Sequence, residues 1–378
     1  MTRRKIASHY ALIGTELRRN IVVEVDDSRT IIDIREVENL DTEPSLEFFP
    51  GILIPGMVNL HCHLELSYLR GQIAEGTGFA GFARSIGAVR NNFTTDERLR
   101  AASAADSTMW EEGIEAVLDI SNDELTMDIK ERSRIEYTTL FELFGLGCNS
   151  IEEHKSMALH HASSSITPHS TYSLQDQIFR QACTANNSTI SIHLLESDDE
   201  SQLYENGGSL AAWYERMGWR CDFLHYGTPS RRVAESIDPH RDVVLVHGCR
   251  ATEHDIALLN AHFTGQVTWA LCPESNRYIS GIKPPIELFR ESKANIALGS
   301  DSLASARSLS LIDNMRLIDN VPLSELLSYA TINGAKALGK EEYLGEIAIG
   351  KRPGLVVIEG ADLHNLRLTE ESRSRRII

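Results

Sequence analysis

The feature that most constrains the fold of this chain is an alternation of short apolar segments with longer segments of helical period. The short segments are rich in β-branched and aliphatic residues, which is typical of strands buried in a parallel sheet. Eight such candidate strands are Ile52–Leu60, Ile114–Ile120, Tyr137–Phe144, Ser164–Pro168, Thr189–Leu195, Val243–His247, Val267–Leu271 and Asn295–Gly299. We predict an α/β fold, a (β/α)8 barrel whose functional residues lie at the carboxyl ends of its strands.

Both termini predict a second, smaller unit. Asn20–Asp26 and Thr30–Ile34 alternate apolar and polar residues around an Asp-Asp-Ser turn, which predicts an antiparallel hairpin. A similar strand pattern returns only at Ile347–Ile358. We therefore predict a small β-sandwich domain built from both termini. The predicted bounds are residues 1–52 and 345–378 for this domain and 53–344 for the barrel.

The charge balance excludes some classes of partner. The chain carries 37 Lys and Arg against 54 Asp and Glu, a formal net charge of −17. Nucleic acids and anionic membrane surfaces select clustered basic residues, so we expect neither as a partner. The short basic runs Arg3–Lys5 and Arg373–Arg376 are interpreted as solvated tails. No apolar run reaches the roughly 18 residues that a transmembrane helix needs.

The cysteines indicate a reducing environment. All six are widely spaced, and no Cys-x-x-Cys pair occurs among them. In a chain of this length such cysteines are expected to be free thiols. We therefore expect a cytoplasmic protein that acts on a small molecule.

The strongest local signal for chemistry is His61-Cys-His63, at the end of the first predicted strand. Alternate residues of a strand point to the same side, so the two imidazoles are expected to project together. Such a pair forms half of a site for Zn²⁺ or another divalent ion. Taken alone, the motif also fits two ordinary strand histidines.

Four further strand ends carry polar residues. His193 and Glu196 follow one predicted strand, His247 ends the next, Asp301 follows the last, and His169 lies where the fourth strand meets its loop. Burying imidazoles and carboxylates together is costly unless a metal ion or a partner compensates. The combination therefore predicts a metal site at the mouth of the barrel.

The order of these motifs resembles the amidohydrolase superfamily, in particular its branch of metal-dependent deaminases and chlorohydrolases. The first segment reads Pro-Gly-Met-Val-Asn-Leu-His-Cys-His, as that branch does near its amino end. The matching segments in chain order are Pro55–His63, Pro168–Tyr172, His193–Glu196, His247, Cys272–Asn276, Gly299–Asp301 and Ala330–Gly339.

This resemblance implies one divalent ion, usually zinc, with Fe²⁺ or Mn²⁺ as alternatives. The implied metal ligands are His61, His63, His193 and Asp301. Glu196 is then the proton shuttle, His247 orients the metal-bound water, and Asp301 takes a proton as metal-bound hydroxide attacks the C–NH₂ carbon of an aminated heterocycle. Ammonia is released. The family also suggests a homodimer.

A narrower resemblance concerns the substrate. The segments His63–Ser67, Leu271–Tyr278 and Asp301–Ser305 are similar to those of the group that contains aminodeoxyfutalosine deaminases. Those enzymes act on an adenine nucleoside that carries a benzoate. By this resemblance His169 is expected to contact the substrate, and the candidates for further contacts are Glu65, Arg70 and Arg277.

Two other functions stay open. The same metal site supports hydrolysis of an amide, an imide or an aryl halide, and only the contacts of the pocket distinguish these reactions. The barrel could also have lost catalysis and serve as a binding protein, although its intact motifs count against this.

Two local features are undecided as well: Glu75–Phe82 is either a lid or a helix entry, and His225 is either solvated or part of the pocket.

Overall fold

The structure is a computed structural model that describes residues 3–185 and 189–378. Within these ranges the strands are β1 (Arg4–Ala7), β2 (Tyr10–Ile13), β3 (Glu16–Arg18), β4 (Ile21–Val25), β5 (Ile31–Glu36), β6 (Leu46–Phe48), β7 (Ile52–Pro55), β8 (Met57–Cys62), β9 (Ile114–Ser121), β10 (Glu136–Leu143), β11 (Ser164–Pro168), β12 (Ile190–Leu194), β13 (Val243–His247), β14 (Val267–Leu271), β15 (Asn295–Leu298), β16 (Leu355–Glu359) and β17 (Arg373–Arg376). Residues 1 and 2 of the predicted small domain lie outside the described part.

The helices of the same ranges are mostly short and follow the barrel strands. They are α1 (Gly78–Val89), α2 (Thr95–Glu111), α3 (Met127–Arg132), α4 (Glu152–His160), α5 (Asp176–Thr184), α6 (Asp198–Tyr204), α7 (Gly208–Arg216), α8 (Pro229–Ser236), α9 (Glu253–His262), α10 (Pro273–Ile279), α11 (Ile286–Glu291), α12 (Leu311–Arg316), α13 (Leu323–Ala330) and α14 (Ile332–Ala337). Three 3₁₀ turns cover Leu40–Thr42, Leu64–Leu69 and Leu224–Tyr226. No described helix has the length and apolar character needed to cross a membrane.

The eight strands β8 to β15 form the predicted barrel. They pair in chain order as two parallel four-stranded sheets, β8 to β11 and β12 to β15. Parallel bridges between Ser170 and His193, and between Cys62 and Asp301, join the two sheets into a closed ring. Strands β12, β13 and β14 are buried at every position, which explains their continuous apolar sequences. The closing bridges therefore lie among the predicted site residues.

The remaining strands form two sheets with the orders β5-β4-β1-β6 and β17-β16-β7-β2-β3. The predicted hairpin is present, because β4 and β5 pair antiparallel. Apolar residues of both sheets, among them Ile6, Val23, Leu53 and Leu355, share one core. This is the expected β-sandwich, assembled from both ends of the chain, and its exact boundaries stay a prediction.

Two details of the sequence interpretation are wrong. The first predicted barrel strand is two strands, β7 in the small domain and β8 in the barrel, with Gly56 between them. A side chain on Gly56 would lie 2.5 Å from the carbonyl oxygen of Pro353, so only glycine fits where the chain passes between the domains. In Ile347–Ile358, only the portion from Leu355 onward is a strand, and it continues to Glu359.

The basic segments at the ends are not solvated tails. Arg4 begins β1, and Arg373–Arg376 forms β17, which pairs antiparallel with β16. The Arg376 guanidinium lies 3.4 Å from the centre of the Trp110 ring and donates to the carbonyl of Ile114. Charge alone predicted solvent exposure, whereas partners distant in sequence hold this segment in the sheet. All six cysteines are free thiols, as expected.

Candidate active site

The polar residues predicted to lie together do so at one end of the barrel. His61 is in β8, and His63 follows it directly. His193 is in β12 and His247 ends β13. Asp301 follows β15 in a left-handed backbone conformation with φ of 58°, which the bridge to Cys62 holds in place. The parallel barrel therefore brings together residues separated by up to 240 positions in the chain.

Their ligand atoms converge on a common volume. The donor atoms of His61, His63 and Asp301 lie within 4.8 Å of one another, and so do those of His61, His193 and His247. The Nε2 atoms of His61 and His63 are 3.9 Å and 3.8 Å from Oδ1 of Asp301. Such separations leave room for one ion between the side chains.

Hydrogen bonds outside the cluster fix which atoms face inward. His193 Nδ1 donates to the carbonyl of His169 at 2.9 Å, which leaves its Nε2 lone pair free. Oδ2 of Asp301 accepts from the hydroxyls of Ser275 at 2.5 Å and Ser305 at 2.8 Å. Oδ1 of Asp301 therefore remains available to a cation.

The cluster has the properties of a cation site. Both ring nitrogens of His61 and Nδ1 of His63 are buried without a hydrogen-bond partner in the described part of the chain. Burial, followed by the neighbouring imidazoles, lowers the pKa of His61 and of His193, so both rings are neutral and carry lone pairs. A divalent ion would satisfy these buried atoms, and three imidazoles with one carboxylate are a donor set that zinc accepts.

His247 and Glu196 stand beside this cluster. His247 Nδ1 donates to Oδ1 of Asn276 at 2.9 Å, which directs Nε2 toward the cavity. That Nε2 atom lies 3.7 Å from Oε1 of Glu196. Burial raises the pKa of Glu196. A buried carboxyl group with a raised pKa is suited to give a proton to a bound molecule.

A chain of hydrogen bonds that the sequence interpretation missed completes the wall. Glu65 accepts from both the backbone and the side chain of Asn122, and Asn122 donates to Glu142 at 2.8 Å. Glu142 in turn accepts from His169 Nδ1 at 2.6 Å. Burial acts to raise the pKa of Glu142, but the charge and hydrogen bond of His169, together with His63 and His193, outweigh it and lower that pKa. Asn122 and Glu142 stand at the ends of β9 and β10, so the strand-end rule could have found them.

A second missed group supports the turn after His63. Asp119 accepts from the backbone N–H of Leu64 at 2.8 Å. Its other oxygen is 2.5 Å from Nζ of Lys130, and both side chains are almost completely buried. Removing either partner would leave an unpaired buried charge. The pair therefore holds the backbone that carries His63.

The cavity in front of these groups has a volume of about 220 Å³. Its polar wall contains His63, Asn122, Glu142, His169, His193, Glu196, His247 and Asp301. The aromatic wall, a second part of its lining, consists of Phe79, Phe82, Phe144, Trp213, Tyr214 and Trp219. Such a lining suits a ligand that combines a planar polar ring with an apolar group.

Three expected substrate contacts do not line this cavity. Glu65 is buried behind the wall and bound to Asn122, and burial raises its pKa to about 7. Arg70 is exposed and donates to the carbonyl of Arg307, while Arg277 is held by Glu274 at 2.7 Å. Each of the three is engaged elsewhere in this structure, and their contact with substrate stays a prediction.

The structure also shows where Arg90, His225 and the segment Glu75–Phe82 lie relative to the cavity. Arg90, just after α1, lines the cavity, and no described carboxylate pairs with its guanidinium. His225 is exposed and bonds to the carbonyl of Asp222, so it is not part of the pocket. The segment Glu75–Phe82 is a helix entry: α1 begins at Gly78.

Comparison with known proteins decides the family. The model of the amidohydrolase family matches residues 52–378. The chain belongs to the amidohydrolase family. It is accordingly a hydrolase that acts on carbon–nitrogen bonds other than peptide bonds, in a family that depends on metal ions.

This amidohydrolase is similar to several deaminases. An adenosine deaminase of Helicobacter pylori is 28% identical over 357 residues, which cover 86% of this chain and 84% of that protein. A 5′-deoxyadenosine deaminase of Methanobrevibacter smithii is 24% identical over 372 residues, 89% of this chain and 78% of the relative.

The fold is also found in solved structures. The structure of Helicobacter pylori aminofutalosine deaminase with methylthio-coformycin superimposes with a TM-score of 0.81 at 23% identity, over 99% of this chain and 100% of that one. The zinc-bound adenosine deaminase of Xanthomonas campestris has a TM-score of 0.70 at 18% identity, over 96% and 85%. These neighbours confirm the predicted barrel with its small β-domain.

Proposed function

We propose that this amidohydrolase is a zinc-dependent deaminase of adenine-type nucleosides, which replaces the ring amino group by oxygen from water and releases ammonia. The observation that carries the proposal is the position of Glu196, 3.7 Å from His247 and beside the ligand cluster on the cavity wall. A proton donor and a hydrogen-bonding imidazole at such a cluster match the needs of hydrolysis at a C–NH₂ carbon. The names of the adenosine and deoxyadenosine deaminase relatives support the choice of ring.

Each side chain has a defined role in this proposal. The residues that would hold the ion are His61, His63, His193 and Asp301. A divalent ion bound there makes water more acidic and supplies Lewis-acid chemistry. Asp301 takes the proton released as water attacks the ring carbon, and His247 hydrogen-bonds to the attacking oxygen. Glu196 protonates the adjacent ring nitrogen, takes the remaining proton from the added oxygen as the C=O bond forms, and delivers it to the departing amine, which leaves as ammonia. Asp301 then returns its proton to Glu196, so that one water is consumed for each ammonia released.

The aromatic wall supports a narrower substrate class. A ribose with only a free 5′-hydroxyl offers little apolar surface to Trp213, Trp219 and Phe79, whereas an apolar or aromatic 5′ substituent would bury them. Arg90 supplies a positive charge at the same wall. We therefore favour an adenine nucleoside with an aromatic, anionic 5′ substituent, such as the benzoate of aminodeoxyfutalosine. A homodimer and a cytoplasmic location stay predictions.

The proposal is tested by ammonia release from zinc-loaded protein. The panel contains amino-purines, amino-pyrimidines, their nucleosides, 5′-methylthioadenosine and aminodeoxyfutalosine. We expect ammonia from the adenine nucleosides only, with the highest kcat/KM for those with large 5′ substituents. If no compound of the panel releases ammonia although the protein holds about one metal ion per chain, the proposed deaminase function is excluded. Amides and aryl halides would then be assayed, and the absence of turnover on these too would indicate a binding protein.

The charge of Arg90 gives a separate prediction about specificity. Arg90→Gln is expected to lower kcat/KM for aminodeoxyfutalosine by about 10–10²-fold, because one charge-assisted hydrogen bond to a carboxylate is lost. The same change is expected to leave 5′-methylthioadenosine, which has a neutral substituent, unaffected. Arg84→Gln is the matched control, since Arg84 is an exposed residue of α1. An equal fall in kcat/KM for both substrates would show that Arg90 does not recognise the charge of the 5′ substituent.

A further inference from the structure

A second carboxylate, Glu200, lies buried directly behind Glu196. It is in the first turn of α6 and is completely inaccessible to solvent. One of its oxygens accepts from the backbone N–H of Glu196 at 3.2 Å, and the backbone of Leu195 also donates to this carboxylate. The other oxygen accepts from the hydroxyl of Thr171. Glu200 is therefore bonded to the peptide groups that carry the proposed proton shuttle.

This arrangement differs from an ordinary helix cap. In a capping box the acidic residue at the third helical position accepts from the N–H of the N-cap residue. Glu97 of α2 and Asp255 of α9 do so in this chain. Glu200 occupies the same position in α6 but reaches past the N-cap residue, Ser197, to the N–H of Glu196. Its side chain binds the backbone of the active-site turn and does not cap the helix.

The turn that Glu200 holds needs such support. Leu195 has a φ of 53°, in the left-handed region that branched side chains disfavour. Strain of this kind persists only where surrounding contacts fix the backbone. Leu195 separates the strand that carries His193 from Glu196, so its conformation decides where the Glu196 carboxyl points.

Thr171, the residue that donates to Glu200, is itself held in place by buried partners. The Thr171 carbonyl accepts from Nη1 of Arg232 at 2.6 Å and from the Tyr204 hydroxyl at 2.7 Å. Arg232 is fully buried between two phenylalanine rings, with 4.2 Å and 4.0 Å to their centres. Thr171 follows His169 by two residues, so Glu200 connects the loop after β11 with the loop after β12.

We propose that Glu200 is a positioning residue, which holds the 195–196 peptide so that the Glu196 carboxyl faces the reacting ring. The inference rests on the proposed function, because it assigns Glu200 an effect only through Glu196. Glu200 itself is separated from the cavity by the backbone that it binds. Two acceptor oxygens are required, since each oxygen of Glu200 accepts a hydrogen bond and an amide offers only one acceptor oxygen. Burial raises the pKa of the Glu200 carboxyl to about 8, against the lowering effect of these hydrogen bonds.

Glu200→Gln is expected to lower kcat by about 10–10²-fold, the size of effect that follows a misplacement of about 1 Å. KM and bound zinc are expected to stay unchanged, because neither depends on the position of Glu196. Asp199→Asn is the matched control on the same helix, where Asp199 accepts from the backbone and hydroxyl of Ser209 in α7. A normal kcat in folded Glu200→Gln protein would overturn the proposal.

A double-mutant cycle distinguishes positioning from a general structural role. In a Glu196→Gln background there is no carboxyl left to position, so Glu200→Gln is expected to cause no further fall in kcat. If the two substitutions lower kcat independently, so that their effects multiply in the double variant, the proposal is overturned. Absence of deaminase activity in the unmutated protein would instead contradict the proposed function, so the two failures are distinguishable.

Substitution of Thr171 provides a second test of the same contact if the Glu200→Gln protein does not fold. Thr171→Val removes the donor at nearly constant volume and is expected to lower kcat several-fold. Thr171→Ser keeps the hydroxyl and is expected to restore the original kcat. Equal kcat values for both variants and the unmutated protein would contradict the role of this contact.

Discussion

Glu196→Gln is expected to lower kcat for adenine-nucleoside deamination by about 10²–10⁴-fold, the usual contribution of a positioned proton donor. The amide fits the same space but cannot give a proton to the ring nitrogen or to the leaving amine. KM is expected to change little, because Glu196 acts during the chemical step. Steady-state ammonia release and zinc content per chain are the two measurements.

The control for this substitution is Glu205→Gln, an exposed carboxylate at the end of α6. It makes the same chemical change at the other end of α6 from Glu196, away from the cavity, and is expected to leave kcat unaltered. Zinc content is expected to be equal in all three proteins, since Glu196 is not one of the proposed ligands. Full activity in Glu196→Gln would refute the shuttle role, and loss of zinc would make Glu196 a ligand.

The site could be predicted where a general rule of the fold applied. Side chains at the carboxyl ends of parallel strands meet at one end of a barrel, so His61, His193, His247 and Asp301 could be grouped without coordinates. The same rule covers Glu142. It was missed because an acidic residue inside an apolar strand carries no motif of its own, and only its bond to His169 reveals its place.

The sequence could not predict which arginine reaches the cavity. Arg70 and Arg277 are close in sequence to site residues, but the 3₁₀ turn and α10 direct them toward Arg307 and Glu274. Arg90 is far from every motif and arrives through the packing of α1 over the barrel mouth. Contacts of this kind depend on how helices pack, which local residue patterns do not specify.

The same limit explains the carboxyl-terminal strand. A run of arginines predicts solvent exposure by composition, yet β17 completes a sheet with β16 and places Arg376 on Trp110. Long basic side chains can bury their apolar stems while the charged group finds a partner. Here the partner is Glu115 in β9, which local sequence could not have indicated.

Removal of the metal ion is expected to abolish deamination and to destabilise the fold. A chelator-treated sample is expected to lose measurable ammonia release and to recover it when one equivalent of zinc is added, because His61, His193 and Asp301 cannot acidify water without a cation. An ion present at a thousand times its dissociation constant stabilises the folded state by about 4 kcal/mol. Thermal unfolding with and without zinc measures this second effect independently of activity.

Asp301→Asn tests the same site through a ligand. The amide keeps the shape but removes the charge that faces the imidazoles of His61 and His63, so zinc content and the zinc-dependent rise in Tm are expected to fall together with activity. Asp319→Asn is the control, since Asp319 forms a surface ion pair with the exposed Lys283. Unchanged zinc binding by Asp301→Asn would exclude Asp301 as a ligand. Activity that survives chelation would show that the buried imidazoles have a structural role, and it would refute the metal-dependent mechanism.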